Sequence, residues 1–234
     1  MQENIKNPKI AIDGPAGAGK STVAREVARR LGIRYLDTGA MYRAITLKII
    51  RENIALENLA AIDALLDRTK LELTEERRVI MDGEDVSFEI RQPHVNGLVS
   101  PVSAIPLVRR RLVQMQKEIA AAGGGIIMEG RDITSIVMPD ADYKFYLDAS
   151  IEERAERRRK EQLEKGLALE ADQVIAEIEN RDRIDSGRAD SPLCITPDAT
   201  VIDTTAMTFE EVVQSVLRLV KQNPGPGETG RGIT

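Results

Sequence analysis

A short glycine-rich segment near the start of the chain limits the fold more than any other feature. Residues 14–21, GPAGAGKS, match the pattern G-x-x-x-x-G-K-[ST], and they stand between an apolar run at 10–13 and a helical pattern at 19–32. In such a strand–turn–helix context, the N–H groups of the turn and the positive end of the helix bind phosphate. The segment therefore predicts a site for ATP or another nucleoside triphosphate.

Residue types within this segment indicate individual roles. Lys20 can reach the β- and γ-phosphates, and the Ser21 hydroxyl suits the Mg²⁺ that accompanies ATP. The predicted ATP-binding residues are Gly14, Pro15, Ala16, Gly17, Ala18, Gly19, Lys20, Ser21 and Thr22.

The rest of the chain alternates short apolar runs with helical patterns. The apolar runs predict strands at 10–13, 34–37, 125–129, 143–147 and 200–203. The helical patterns lie at 19–32, 39–51, 106–122, 150–164, 170–186 and 208–221. Strands that lack polar alternation and alternate with helices favour a parallel sheet covered on both faces. We therefore expect a three-layer α/β fold of the P-loop NTPase class with a five-stranded parallel sheet.

One segment departs from this alternation. Residues 63–100 contain three short strand patterns joined by turns, KLELT (70–74), RRVIMDG (77–83) and EDVSFEI (84–90), with Asp82-Gly83 as one turn signal. We expect an inserted β-containing lobe there, and a core domain formed by 7–62 and 101–222. The tail, 223–234, is rich in Gly and Pro and is expected to be disordered.

Composition excludes several classes of protein. With 33 Lys and Arg against 38 Asp and Glu, the net charge of −5 gives no general affinity for nucleic acid or anionic membranes. The single cysteine, Cys194, forms no internal disulfide and fits a reducing compartment. No apolar run reaches the roughly 18 residues of a membrane span, and the polar start is no signal peptide. We expect a cytoplasmic monomer that binds small molecules.

Polar residues collect where the predicted strands end. Asp37 ends one strand, Thr38 can cap the next helix, and Arg43 lies about one turn later. Arg131 and Asp132 follow another strand. Because ligands of open parallel sheets bind beyond the carboxyl ends of the strands, we expect a second pocket beside the phosphates.

A helical face near the end of the chain changes from apolar to ionic. Val174, Ile178, Arg181, Asp185 and Arg188 are spaced 4, 3, 4 and 3, which places them on one side of a helix. Such a face is expected to meet either a polar ligand or an ion-pair network.

Three further arginines, Arg154, Arg157 and Arg158, share a face of the preceding helix and suit a lid over transferring phosphates. A phosphate monoester acceptor carries nearly two negative charges and needs arginines rather than a general base. A hydroxyl acceptor would need a base. The only histidine, His94, lies beside Pro93, where we expect a surface or packing role. Asp37 or Asp132 could also serve as a general base, so a hydroxyl acceptor stays possible at this point.

The residue types also suggest how a base could be read. Cytosine presents an amino donor beside two acceptors, so it calls for a carboxylate next to donors. Asp132 could accept from the amino group while Arg109 and Ser100 donate to the other edge. Uracil carries an oxygen in place of that amino group, and an ionised Asp132 would repel it.

Four separated motifs together resemble the bacterial cytidylate kinases: IDGPAGAGKST, LDTGAMYR, GRD and RDRIDSGRADSPL. The resemblance covers residues 9–221, including the inserted segment DGEDVSFEIR and the passage DASIEERAERR. It implies a nucleoside monophosphate kinase that transfers the γ-phosphoryl of ATP to CMP or dCMP. It also implies that the 63–100 lobe binds the monophosphate and that a short helical lid lies at about 154–170.

The resemblance assigns the acceptor site residue by residue. Arg43, Arg131 and Arg188 would bind the CMP phosphate, and Arg181 and Asp185 would bind the sugar. Ser100, Arg109 and Asp132 would read cytosine, and Thr38 and Tyr42 would line the pocket. The catalytic residues would be Lys20, Arg154, Arg157 and Arg158, with Ser21 and, through water, Asp37 holding Mg²⁺.

Three alternatives stay open at this stage. Ser103, Arg110 and Arg111 could replace Ser100 and Arg109 as base readers. A kinase of the shikimate or gluconate type would use Asp37 as its base. A P-loop switch or adaptor would bind nucleotide without phosphorylating a small molecule, but it would need no second anionic pocket.

Overall fold

The central sheet lies at the middle of the molecule. In the computed structural model, which describes residues 7–74, 76, 78–164 and 170–222, five parallel strands follow the order β2-β6-β1-β7-β8. The strands are β1 (Lys9–Asp13), β2 (Arg34–Asp37), β6 (Ile126–Gly130), β7 (Tyr143–Asp148) and β8 (Thr200–Asp203). The predicted parallel sheet is confirmed, with each strand end within one residue of its predicted position.

Strand register brings the polar residues at the strand ends together. Asp13 lies opposite Gly130, and Asp37 lies opposite Glu129. Because all five strands run in the same direction, the phosphate-binding turn after β1 and the polar residues after β2 and β6 share one edge of the sheet.

Helices cover both faces, as the alternating pattern predicts. They are α1 (Lys20–Leu31), α2 (Thr38–Arg51), α3 (Leu59–Arg68), α4 (Pro93–Ala104), α5 (Pro106–Ala121), α6 (Ile151–Glu164), α7 (Ala171–Gly187) and α8 (Phe209–Gln222). On one face, α1 and α8 bury a core that includes Val27 and Val216. On the other face, α2 and α5 bury Ile45 and Leu112 against the sheet.

Two helices were not predicted. Helix α3 has its first turn capped by Asn58, whose side chain accepts from the Ala61 N–H at 3.1 Å. Helix α4 begins at Pro93, a favourable first-turn position, but it contains Gly97 and Pro101 in its interior, and these two residues argue against a helix. The predicted domain boundaries at 63 and 100 fall inside these two helices.

The inserted segment contains a separate three-stranded antiparallel sheet, with strand order β3-β4-β5. Its strands are β3 (Leu71–Leu73), β4 (Val79–Met81) and β5 (Glu84–Asp85). The third strand is shorter than predicted. Its extension to residue 90 was wrong, because Asp85 accepts from the Ser87 N–H at 3.0 Å and turns the chain into a 3-10 turn, Glu89–Arg91.

This small sheet packs on α2. Val79 and Met81 of β4 form one buried cluster with Ala40, Ala44 and Leu47 of the helix. An exposed ion-pair network adds to the contact, since Arg51 at the end of α2 donates to both Glu84 and Glu89.

Two predicted segments lie partly or wholly outside the described residues. The predicted lid, 154–170, is described as far as residue 164, and the predicted disordered tail, 223–234, is not described. Among the described helices, none is both long and apolar enough to cross a membrane.

Candidate active site

The turn after β1 has a backbone that only glycine adopts easily. Gly14, Gly17 and Gly19 have φ values of 150°, 80° and 84°. A Cβ on Gly14 would lie 2.0 Å from the carbonyl oxygen of Leu147, so β7 approaches the turn too closely for any side chain. The turn then enters α1, whose N-terminal N–H groups face the same space.

Lys20, the first residue of α1, folds back over this turn. Its Nζ donates to the Pro15 carbonyl at 2.7 Å, and its side chain is buried. Burial, together with the positive charge of Arg131, lowers the pKa of Lys20 to about 7. A negatively charged group beside the amine would remove this penalty, so the site favours an anion.

The next residue forms a polar cluster at the strand ends. The Ser21 hydroxyl donates to Glu129 Oε1 at 2.6 Å, and the Tyr35 hydroxyl donates to the same oxygen at 3.2 Å. Burial, followed by the charge of Asp37, raises the pKa of Glu129. Glu129 was not predicted from the sequence, although it is the last residue but one of β6, which pairs with the strand before the phosphate-binding turn.

This cluster suits a hydrated divalent ion. No group of three or more His, Cys, Asp or Glu side chains that could enclose a metal occurs among the described residues. Magnesium bound with a nucleotide instead takes one or two protein oxygens and completes its shell with phosphates and water. The Ser21 hydroxyl and the carboxylates of Asp37 and Glu129 meet that requirement.

Arg154 of α6 is fixed against the phosphate-binding turn. Its guanidinium donates to the carbonyls of Ala16 and Ala149, each at 3.0 Å, and to Asp182 of α7. Asp182 also accepts from the Ala16 N–H at 3.1 Å. Arg154 and Asp182 therefore hold the turn in shape from outside, a role that the analysis of the sequence missed for Asp182.

The other two arginines of the predicted lid, Arg157 and Arg158, have different partners. Arg157 donates to the Thr204 hydroxyl at 2.9 Å and to the Thr204 carbonyl at 2.7 Å. Arg158 pairs with Glu161 at 3.0 Å on the same helix. A cavity of about 1450 Å³ adjoins Arg157 and Thr204 and extends past Gly19 at the start of α1.

Residues at the end of helix α7 form an ionic cluster with Arg131, where the sequence predicts the pocket for the phosphate acceptor. Asp185 is buried and accepts from Arg131 Nε at 2.8 Å, while Arg188 Nη1 lies 3.7 Å and Arg181 Nε 4.0 Å away. Burial alone would raise the pKa of Asp185, but the three guanidinium groups outweigh it and hold the pKa below its usual value.

These arginines keep unused donors. Arg43 Nη1, Arg181 Nε and Arg188 Nε are buried without a hydrogen-bond acceptor among the residues that the structure describes. Burial and the charges of Arg131 and Arg43 lower the pKa of Arg181 to about 9. Buried donors are normally paired, so this cluster has the character of an anion site.

A second buried pair lies beside that cluster. Asp132 accepts from Arg109 Nη2, and both side chains are almost fully buried. The Arg109 guanidinium also donates to the Ser103 carbonyl at 3.2 Å and lies 5.7 Å from the centre of the Tyr42 ring. The Ser103 hydroxyl donates to the Ser100 carbonyl at 2.9 Å. The structure thus brings four of the predicted pocket residues and Ser103 together.

The alternatives for Arg109 are exposed. Arg110 and Arg111 both lie on the outer face of α5, where Arg111 pairs with Asp67. His94 and Cys194 are exposed as well.

The predicted cap of α2 was wrong. Asp37, rather than Thr38, caps the helix, because its Oδ1 accepts from the Ala40 N–H at 2.9 Å. Thr38 is the first helical residue, and its hydroxyl donates to the Glu129 carbonyl at 2.8 Å. Asp37 also accepts from Arg91 of the inserted segment at 3.1 Å.

Comparisons with known proteins agree on one family. Residues 10–222 match the family model for cytidylate kinase. A cytidylate kinase of Caldanaerobacter subterraneus subsp. tengcongensis is 54% identical over 215 residues, which cover 92% of this chain and 95% of that protein. A cytidylate kinase of Pelotomaculum thermopropionicum is 49% identical over 217 residues, which cover 91% and 96%. A solved shikimate kinase from Acinetobacter baumannii, at 17% identity over 93% of this chain and 94% of its own, has a TM-score of 0.47, a likeness that supports no inference.

Proposed function

Since the chain belongs to the cytidylate kinase family, a family of phosphotransferases, we propose that it transfers the γ-phosphoryl of ATP to CMP or dCMP. The products are ADP and CDP or dCDP. The acceptor is the phosphate monoester of the nucleotide, so the reaction forms a phosphoanhydride.

The observation that carries this proposal is the cluster of buried arginines at the acceptor side. Arg43 and Arg188 hold buried donors that no described residue satisfies, and Arg131 adds a third charge. Arg181, which also has an unused buried donor, lies beside them on the side proposed for the sugar. A dianionic phosphate monoester fits such a cluster, because it supplies both the missing acceptors and the opposing charge. A sugar hydroxyl would supply an acceptor without charge, and the carboxylate of shikimate or gluconate carries one negative charge rather than nearly two.

The base would be recognised by the buried pair next to these arginines. Asp132 accepts from Arg109 on one side, and its carboxylate can accept from the cytosine amino group on the other. Arg109 and the Ser100 hydroxyl would donate to the acceptor edge. The Asp185 carboxylate and Arg181 would bind the sugar, with Tyr42 and Thr38 lining the pocket.

On the donor side, the N–H groups of residues 14–22 and Lys20 would bind the phosphates of ATP. The cavity beside Arg157 and Thr204 has room for the nucleoside of ATP. The Ser21 hydroxyl and, through water, Asp37 would hold Mg²⁺, which supplies positive charge against the phosphoryl oxygens when bound. Glu129 orients the Ser21 hydroxyl for that task.

The proposed mechanism is in-line displacement with catalysis by placement and charge stabilisation. The acceptor oxygen is already an anion near neutral pH, so no residue has to remove a proton. Lys20, Arg157 and Arg158 would stabilise charge on the transferring group. Arg154 would contribute by holding the phosphate-binding turn in shape. Closure of the 63–100 lobe and the 154–170 lid on the core at 7–62 and 101–222 would exclude water. We further propose that the enzyme acts as a cytoplasmic monomer.

An acceptor panel tests this function. Purified protein with Mg-ATP is offered CMP, dCMP, UMP, AMP, GMP, gluconate or shikimate separately, and ADP formation is followed. We expect turnover with CMP and dCMP well above the rate with UMP and none with shikimate or gluconate. Turnover only with a non-nucleotide alcohol, or nucleotide binding without acceptor-dependent ADP, would reject the proposal.

A further inference from the structure

A buried carboxylate outside both substrate sites connects them. Asp13 is the last residue of β1, directly before Gly14, and its side chain is fully buried. Its Oδ1 accepts from the Ile133 N–H at 2.9 Å. Its Oδ2 accepts from the Thr134 N–H and from the Thr134 hydroxyl, each at 2.7 Å.

The donors belong to the turn that carries the base-reading aspartate. Ile133–Val137 form a single π-helical turn, and the carbonyl of Asp132 accepts the N–H groups of Ile136 and Val137 at 2.9 and 3.1 Å. Isolated π-helical turns are rare, and they cluster at functional sites. The three hydrogen bonds to Asp13 fix the start of this turn, one residue after Asp132.

The hydrogen bonds from Ile133 and Thr134 are the main compensation for burying the Asp13 carboxylate. No Lys or Arg nitrogen lies within 4 Å of its carboxylate in the described part of the chain, so the charge is held by hydrogen bonds. An uncompensated buried carboxylate is costly, and an acceptor-only group with three donors limits the position of the turn tightly.

On this geometry, and resting on the proposed function, we infer that Asp13 is a positioning residue for base selection. It fixes the π-helical turn to the strand that carries the phosphate-binding turn, and so holds Asp132 at the depth where it meets the cytosine amino group. It touches neither substrate, and it acts through Thr134.

Thr134 gives the sharpest test, because one of the three hydrogen bonds can be removed with little change of shape. Thr134→Val deletes the hydroxyl, whereas Thr134→Ser keeps it and deletes the methyl group. Thr69→Val serves as a remote control, since the Thr69 hydroxyl donates to the Leu65 carbonyl far from the site. The readouts are kcat/KM for CMP and for UMP, KM for ATP, and the midpoint of urea unfolding.

We expect Thr134→Val to lower the CMP-over-UMP ratio of kcat/KM by about fivefold, as loss of one charge-assisted hydrogen bond predicts. KM for ATP should stay within about twofold of the wild type. Thr134→Ser and Thr69→Val should keep the wild-type ratio. Asp13→Asn, which leaves a donor facing a donor, should lower the ratio further if it folds.

The outcomes separate this inference from the proposed function. A wild-type protein that does not phosphorylate CMP overturns both. If the wild type discriminates CMP from UMP and Thr134→Val keeps that ratio while losing only stability, Asp13 has a purely structural role and this inference alone is rejected.

Discussion

Lys20 lies in surroundings that oppose its own charge. Its amine is buried, close to Arg131, and held by the Pro15 carbonyl, so the protein keeps it in place before any nucleotide binds. Such preorganisation stabilises charge on a transferring phosphoryl group without further rearrangement.

Lys20→Ala should therefore lower kcat by about 100-fold or more, since one preorganised transition-state contact is lost. KM for CMP should change much less. Steady-state ADP formation measures both, with Lys70→Ala, a substitution at an exposed lysine, as the matched control. An unchanged kcat would reject the role assigned to Lys20.

In the proposed function, base selection depends on Asp132. Asp132→Asn should lower the CMP-over-UMP ratio of kcat/KM by about tenfold or more, because the amide can present a donor to uracil O4. KM for ATP should be nearly unchanged. The exposed Asp140 supplies the control variant Asp140→Asn. A CMP-over-UMP ratio equal to that of the wild type would move base reading to other residues.

Asp13 predicts a pH dependence of stability. Burial raises its pKa to about 6 from 3.8, although the hydrogen bonds from Thr134 and Ile133 oppose the rise. The folded protein therefore binds this proton more tightly than the unfolded chain. The contribution to the free energy of unfolding is largest below about pH 4 and is lost as the pH rises through about 6. Asp132, Lys20 and Tyr146 are the other titratable groups that face it.

Urea unfolding of the wild type and of Asp13→Asn at pH 5 and pH 7.5 tests this. Between pH 5 and pH 7.5, the free energy of unfolding of the wild type should fall by about 1 kcal/mol more than that of the variant. Because the variant lacks the titrating group, the difference cancels the contributions of other residues. Equal losses in the two proteins would show that Asp13 does not titrate in this range.

The individual residues that could be predicted from the sequence are those that belong to a short motif or to a periodic pattern. The turn pattern predicted roles for Lys20 and Ser21, and helical spacing predicted that Arg181 and Asp185 share a face, where the structure brings them within 4.0 Å of each other. Glu129 and Asp182 were missed because each acts through a distant partner: Ser21 and Glu129 are 108 positions apart, and Ala16 and Asp182 are 166 apart. No spacing rule reports such contacts.

The phosphate-binding turn and β7 form one packed unit. Gly14→Ala would force a Cβ against the Leu147 carbonyl, so the turn or the strand has to move. We expect a lower melting temperature and weaker ATP binding, measured by differential scanning fluorimetry with and without Mg-ATP. Gly97→Ala, in helix α4 where a Cβ meets nothing within 4 Å, should instead stabilise by about 0.5–1 kcal/mol. If Gly14→Ala melts at the wild-type temperature and binds ATP as tightly as the wild type, the close packing of the turn on β7 does not limit residue 14 to glycine.

Elements with strong periodicity were predicted to within a residue or two, and α4 was not. Gly97 and Pro101 each weaken a helical prediction, yet Val95, Val99 and Val102 are buried on one side of this helix. Tertiary packing therefore outweighs local propensity there. Helix α3 had a readable signal, with Ile62, Leu65 and Leu66 at helical spacing after the Asn58 cap.

At the scale of the whole molecule, the parts that meet at the strand ends come from every region of the chain. Arg91 of the inserted segment reaches Asp37 of the core, and Arg154 of α6 reaches Ala16 of the turn. The sequence predicted three short strands in the inserted segment but not their packing on α2, because that contact depends on shape complementarity between distant segments.

In the proposed reaction, the phosphoryl group goes to an existing phosphate rather than to a hydroxyl. Phosphorus-31 NMR of a reaction with Mg-ATP and CMP tests it directly. We expect loss of the CMP monoester signal and growth of the two coupled signals of CDP, together with those of ADP. A second uncoupled monoester signal, from a phosphorylated sugar hydroxyl, or inorganic phosphate with CMP unchanged, would contradict it.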